Sequence, residues 1–310
     1  MAVISKTAIS KTALSKIAHS KTGGAVPAAR EAGQGGVASL FLGPATMVVC
    51  VMLVAPLLLL LRFSLNRYDA TELMIETVTA ANYTRFFSDP FYVGVLRTTL
   101  TVAVSTTLLC LLLGLPLAYR VARMTSRWKS LVMVALVLPL FIGSTVRMVG
   151  WMILFAHGGL IDVASRFVTG RGLEVMYTTF AVVAGIVSIN LPIVVLTIQS
   201  TIETIDTRIE EAAGSLGATP ARAFWRVVWP LALPGTATAG ILCFILSMNA
   251  YATPYLLGGP RFQMMAPILY WEFTTNNNWP FASALALVLM ATTLVLTACS
   301  GVLIPRRYRV

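Results

Sequence analysis

The residues able to do chemistry are few and scattered. ATP hydrolysis needs Gly-x4-Gly-Lys-Ser/Thr, whose backbone amides and ammonium cradle the phosphates. All five lysines, Lys6, Lys11, Lys16, Lys21 and Lys129, instead follow Ser or Trp, so ATP hydrolysis by a P-loop is not expected of this chain. His19 and His157 lie in different connecting segments, which leaves no histidine metal site. Cys50, Cys110, Cys243 and Cys299 sit in apolar runs without CxxC spacing, and they read as small buried hydrophobes. The apolar runs contain neither paired carboxylates nor His-Glu-x-x-His, so an enzyme, a metal and a cofactor are all unsupported. Arg147 is the one full charge well inside an apolar run, and the twelve acidic residues all fall outside these runs. With Trp151, Asn249 and Tyr251 it forms a candidate solute path, in which Arg147 would meet an anion and the rings a cation. The alternative for Arg147 is to snorkel to an interface or to bond helix-end carbonyls.

Such residues have to be carried by membrane-spanning helices. The chain of 310 residues is 57% hydrophobic and only 11% charged, too apolar for water to solvate, so lipid is its surroundings. A helix needs about 20 apolar residues to cross a hydrocarbon core of about 30 Å. Runs of that length extend from Ala32 to Leu61, Thr98 to Tyr119, Ser130 to Phe155, Val175 to Ile202, Gly235 to Pro260 and Phe273 to Pro305. The fold class is therefore all-α integral membrane with six transmembrane helices. Pro139, Pro192 and Pro254 fall inside the third, fourth and fifth spans, where each removes a helix hydrogen bond.

Residues 1–36 repeat Ser-Lys-Thr-Ala-like units and then turn Gly/Ala/Pro-rich; they read as a disordered basic tail preceding a permease domain over 37–310. Counting Lys and Arg by side orients the spans. Lys6, Lys11, Lys16, Lys21, Arg30, Arg120, Arg123, Arg127, Lys129, Arg208, Arg222, Arg226, Arg306, Arg307 and Arg309 fall on the side of the termini. Opposite lie Arg62, Arg67, Arg85, Arg97, Arg147, Arg166, Arg171 and Arg261. Fifteen against eight puts both termini in the cytoplasm. The charge of +11 follows this topology and does not gather on a polar domain, so no nucleic-acid partner is expected.

The cytoplasmic loop over about 203–230 has a local code of its own. A first helix running on from the fourth span stops near Gly217, which takes the left-handed conformation cheaply. Thr219 caps a second helix with Pro220 at its first position, and Trp229-Pro230 ends it. Ala212, Ala213 and Gly217 leave the backbone approachable, and Glu211 offers a negative anchor. The run Glu211-Ala212-Ala213, Gly217, Val227 and Pro230 resembles the EAA loop of ABC importer permeases, EAA-x3-G-x9-I-x-L-P, with Val227 for Ile and Trp229 for Leu.

Over roughly residues 40 to 305 the likeness is closest to spermidine/putrescine-type permeases. It includes Leu138-Pro139-Leu140 followed by Arg147 and Trp151, Gly114-Leu115-Pro116-Leu117-Ala118-Tyr119-Arg120, and Leu257-Gly258-Gly259. The resemblance implies a type I importer transmembrane domain in a bacterial inner membrane. It also implies a second permease subunit, an ATP-binding subunit dimer gripping Glu211, Ala212, Ala213, Gly217 and Pro230, and a periplasmic substrate-binding protein. Polyamine is the implied solute; an opine, an amino acid derivative or a small organic anion is the alternative, since family members often carry an acid where this chain has Asn249. An ATP-independent secondary transporter would show intramembrane carboxylates or an inverted repeat, and neither is visible.

Overall fold

A computed structural model describes residues 31–303 except 126, 171 and 173. The expected tail over residues 1–30 and the basic end at Arg306, Arg307 and Arg309 lie outside the described residues. The chain divides into two compact units, residues 1–57 and 58–310. The first helix, α1 (Glu31–Ser64), already begins within the stretch read as tail and contains the apolar run Thr46–Ser64.

Apart from an isolated bridge between Arg67 and Ile75, the described residues are helical or irregular. Six stretches are long and apolar enough to cross a membrane: Thr46–Ser64, Pro90–Ala122, Ser144–Phe167, Thr179–Glu203, Pro220–Met248 and Trp279–Ser300. The second unit is built on three of its helices, α3 (Pro90–Ala122), α7 (Thr179–Glu203) and α10 (Trp229–Met248), which pack on one another more extensively than any other set. Short α2 (Ala81–Ser88) precedes α3, and α13 (Trp279–Leu303) closes the chain.

Small residues set how closely these helices approach, as expected where lipid leaves packing to van der Waals contact. Cys110 of α3 and Cys243 of α10 are buried with Val194, Val195 and Ile198 of α7 and Ala239 of α10. At Gly235 of α10 a Cβ would overlap Thr201 of α7, whose own Cβ would lie 2.5 Å away. One polar pair bridges this core. Asn190 donates to Ser247 Oγ at 3.0 Å, and Ser247 donates to the carbonyl of Cys243 at 2.7 Å.

The third span departs from expectation. It is not one helix over 130–155 but α4 (Trp128–Phe141) and α5 (Ser144–Phe155), separated at an extended Ile142. The helix ends two residues after Pro139, and Arg147 of α5 turns back to donate to the carbonyls of Pro139 and Ile142 at that end. A turn at residues 156–159 leads to α6 (Leu160–Thr169). Asp162, expected outside the spans, is buried in this apolar stretch; it pairs with Arg166 at 3.0 Å and accepts from Gly158 N at 2.8 Å.

The fifth span also differs, ending at Met248 instead of Pro260. Pro254 has no N–H to return to residue 250, so the helix breaks beforehand and a short α11 (Ala252–Leu257) follows. Next comes α12 (Met265–Thr274), leading into α13.

The Gly235–Thr201 contact yields a stability prediction. Gly235→Ala is expected to lower the apparent unfolding temperature of the purified complex, by the equivalent of about 1–3 kcal/mol of overpacking. Adding Thr201→Gly should return part of the loss; an unchanged transition in Gly235→Ala would contradict this packing.

Candidate functional site

The loop between α7 and α10 folds as a knuckle whose ends are written in its sequence. Asp206 Oδ1 accepts the amide of Arg208 at 2.9 Å and starts a new helix, α8 (Thr207–Ser215). The knuckle therefore does not run on from α7 as the sequence suggested. The turn between them is held because Arg123 donates to the carbonyl of Ile205 at 3.1 Å.

The end of α8 is a Schellman turn. Gly217 sits at φ +84°, its amide donates to the carbonyl of Gly214 at 2.9 Å, and Ala218 donates to that of Ala213 at 3.0 Å. Thr219 then accepts from the amide of Arg222 at 3.4 Å, with Pro220 opening α9 (Pro220–Ala223).

Trp229-Pro230 does not end this second helix. Residues Phe224–Val228 form a π-turn, Trp229 donates to the carbonyl of Phe224, and the chain passes directly into α10. The wider turn lets Pro230, which has no N–H to offer, sit inside a continuous helix. The second arm of the knuckle and the fifth span are thus one rod, Pro220–Met248.

The tip is open. Glu211, Ala212 and Gly217 are exposed, Ala213 is half-buried, and Leu216 beside Gly217 is 89% exposed. Pro230 lies half-buried at the base.

Of the candidate path residues, Arg147 is occupied with the α4 carbonyls. Trp151 is half-buried one turn further on, its indole N–H donating to Ser188 Oγ of α7 at 3.0 Å. Asn249 is exposed at the end of α10 and donates to the carbonyl of Ile245 at 2.9 Å. Tyr251 stacks on Tyr255 with centroids 5.6 Å apart and meets Tyr270 at 4.9 Å. Burial, then the neighbouring Tyr270 and Tyr255, push its phenol up, so Tyr251 presents a neutral ring and hydroxyl. Among the described residues no hydrogen bond, ion pair or ring contact joins Arg147 or Trp151 to Asn249 or Tyr251.

Residues 110–309 match the family model of binding-protein-dependent transport system inner membrane components. The chain belongs to this family. It is 31% identical over 241 residues to the spermidine/putrescine transport system permease protein PotB of Haemophilus influenzae, covering 76% of this chain and 84% of that one. To PotB of Escherichia coli it is 30% identical over 239 residues, covering 76% and 86%. Its fold is similar to that of a chain in the crystal structure of a bacterial alginate ABC transporter complexed with an alginate pentasaccharide-bound periplasmic protein. That similarity has a TM-score of 0.75 at 14% identity and covers 89% of this chain and 96% of the other.

The chain is therefore a multi-pass inner-membrane permease subunit of a binding-protein-dependent ABC importer, with the transmembrane-domain fold of that class. It is neither an enzyme nor an ATP-independent secondary transporter.

One residue of this permease was not singled out at the knuckle by sequence. Glu210, next to the family's Glu211, accepts a hydrogen bond from the Tyr119 hydroxyl at 2.8 Å and forms an ion pair with Arg123, both on or at the end of α3. Tyr119 also packs edge-on against Phe224 at 4.8 Å. Beneath the turn Lys129 pairs with Glu203 at 2.7 Å. One acid of the Glu210-Glu211 pair thus ties the knuckle to its own chain and the other is left exposed. Only the three-dimensional partners distinguish them, though an acid four residues after Asp206 on a short amphipathic helix was the available signal.

Glu210→Ala is expected to raise amide exchange over residues 205–218 about tenfold, the equivalent of roughly 1.4 kcal/mol for a lost half-buried charged hydrogen bond. Glu211→Ala should leave it near the wild-type rate. Equal exchange in the two variants would contradict the assignment.

Proposed function

We propose that this permease pairs with a second permease subunit and imports a polyamine of the spermidine/putrescine kind, driven by an ATP-binding subunit dimer that grips the knuckle. The observation that carries the docking role is the knuckle itself: two capped arms meeting at an αL glycine, with an exposed Leu216 and Glu211 at the tip. An apolar side chain beside a free carboxylate suits a partner cleft having an apolar floor and a basic rim. The excess of Lys and Arg on the knuckle's side of the spans supports cytoplasmic termini and a cytoplasmic knuckle. A periplasmic substrate-binding protein would then deliver solute to the opposite face.

The second arm supports a route for force. Because α9, the π-turn and α10 are continuous, a push at residues 217–220 would be delivered along a rod into the core around Ala239 and Cys243. The first arm would move with it, held through Glu210 to α3. Closure of an ATPase dimer would thereby rock α3 and α10 as rigid bodies and alternate the access of the path.

Polyamine as the solute is supported by the relatives' names and by the aromatic cluster of Tyr251, Tyr255 and Tyr270. The anion alternative rests on Arg147, one of whose guanidinium nitrogens is engaged with the carbonyls of Pro139 and Ile142 while Nε and Nη1 have no hydrogen-bond partner.

In proteoliposomes carrying the complete complex and its binding protein, ATP-dependent uptake of radiolabelled putrescine or spermidine is expected. Gly217→Val, which forces a β-branched residue to φ +84° at a cost of at least about 1–2 kcal/mol, should abolish most uptake and weaken ATPase copurification. Uptake of an organic anion in place of polyamine would overturn the solute; undiminished uptake by Gly217→Val would overturn the docking role.

A further inference from the structure

A second cavity-forming cluster lies beyond the end of α10. Residues of α11, α12 and the loops around them enclose a cavity of about 660 Å³, well within the range of small-molecule sites. Its aromatic walls include Phe91, Tyr255 and Trp271, and its polar lining includes Gln263, Glu272 and Asn276, with no Lys, Arg or His.

Glu272 decides its chemistry. Its side chain is on the buried face of α12, the residue only 7% exposed. Tyr92 donates to Oε1 at 3.3 Å and Asn276 to Oε2 at 3.0 Å. No basic side chain among the described residues forms an ion pair with it. The closest approach is indirect: Arg85 donates to the Tyr92 hydroxyl at 3.3 Å while its guanidinium lies 4.3 Å from the centroid of the Phe281 ring. A carboxylate held away from water with neutral donors alone is costly, and a countercharge brought by a ligand relieves that cost. Gln263 adds a carbonyl oxygen that has no hydrogen-bond partner. Oxygen acceptors without a positive group, set among ring faces, select against anions and favour ammonium ions.

We propose that this cavity is a receiving site for an alkylammonium group of the transported solute. Glu272 supplies the countercharge, Gln263 an acceptor, and Tyr255 and Trp271 the π faces. The Tyr255–Tyr251–Tyr270 stack links it to the path residue Tyr251, so a linear polyamine can hold one ammonium at Glu272 while the rest of the chain lies along the rings. The assignment rests on the importer reading above, in which this end of the molecule faces the binding protein. It deepens that reading by giving the cation a first residence within the permease.

The test is uptake kinetics of putrescine and spermidine in proteoliposomes with the full complex and its binding protein. Glu272→Gln, nearly isosteric and still able to hydrogen-bond Tyr92 and Asn276, is expected to raise the KM for uptake about tenfold, the loss of one ionic contact. Glu272→Asp should recover part of this, and Tyr255→Leu should raise KM several-fold. Binding-protein-stimulated ATP hydrolysis at saturating solute should be kept in each, which certifies assembly. If Glu272→Gln fails to assemble, Tyr255→Leu, altering an exposed ring, decides alone. Wild-type KM in the assembled variants would overturn the site while leaving polyamine import standing. Failure of the wild-type complex to import either polyamine would overturn both.

Discussion

The half-buried contact of Glu210 with Tyr119 and Arg123 is the constraint on which the geometry of the knuckle depends. An exposed pair of this kind contributes little, but here both charged side chains are 17% exposed and Arg123 also holds the carbonyl of Ile205. The cluster fixes the first arm of the knuckle to α3, while the second arm is covalently continuous with α10. The knuckle is consequently rigid toward two of the three central helices and exposed only at its tip. Without Glu210, α8 would be a nine-residue helix joined to the core by turns alone, too short to hold its shape unaided.

The same economy recurs where the chain breaks. Prolines interrupt three apolar stretches, and each interruption has a different resolution. Past Pro139 the helix ends and a guanidinium from the next helix bonds the end carbonyls; at Pro230 a π-turn absorbs the missing amide and the rod survives; before Pro254 the helix stops and a short one begins. Rigid and broken segments alternate: the knuckle continues into an unbroken rod, whereas beyond the far end of α10 the chain is built of short helices, α11 and α12, that line the cavity around Glu272.

Much of this was legible in the sequence where the determinants are local. Thr219, Pro220 and Gly217 specify a helix start and stop through their own backbone preferences, and the structure follows them closely. The number of crossing stretches was legible too, because hydropathy over 18 or more residues is insensitive to detail. What hydropathy cannot register is a break inside an apolar run. Ile142-Gly143 reads as membrane-compatible in a window average, so α4 and α5 were merged. Trp229-Pro230 was read as a stop because proline ordinarily is one, and the π-turn that rescues the helix depends on the preceding five residues jointly. Glu210 was illegible for another reason: its partner Arg123 is 87 positions away in sequence, and that spacing leaves no pattern. Arg147 drew attention as a charge in an apolar run, and the alternative read beside it, bonding to helix-end carbonyls, is what one of its nitrogens does.

The central claim is that an external ATPase works this permease through the knuckle tip. It is tested most directly by a single cysteine at Leu216, an exposed residue at the knuckle tip, in a chain whose native cysteines are replaced by serine. In intact cells Leu216→Cys is expected to resist a membrane-impermeant maleimide and, in membranes opened on the cytoplasmic side, to form a cross-link to the ATP-binding subunit. Labelling from outside the cell, with no cross-link to that subunit, would contradict the account.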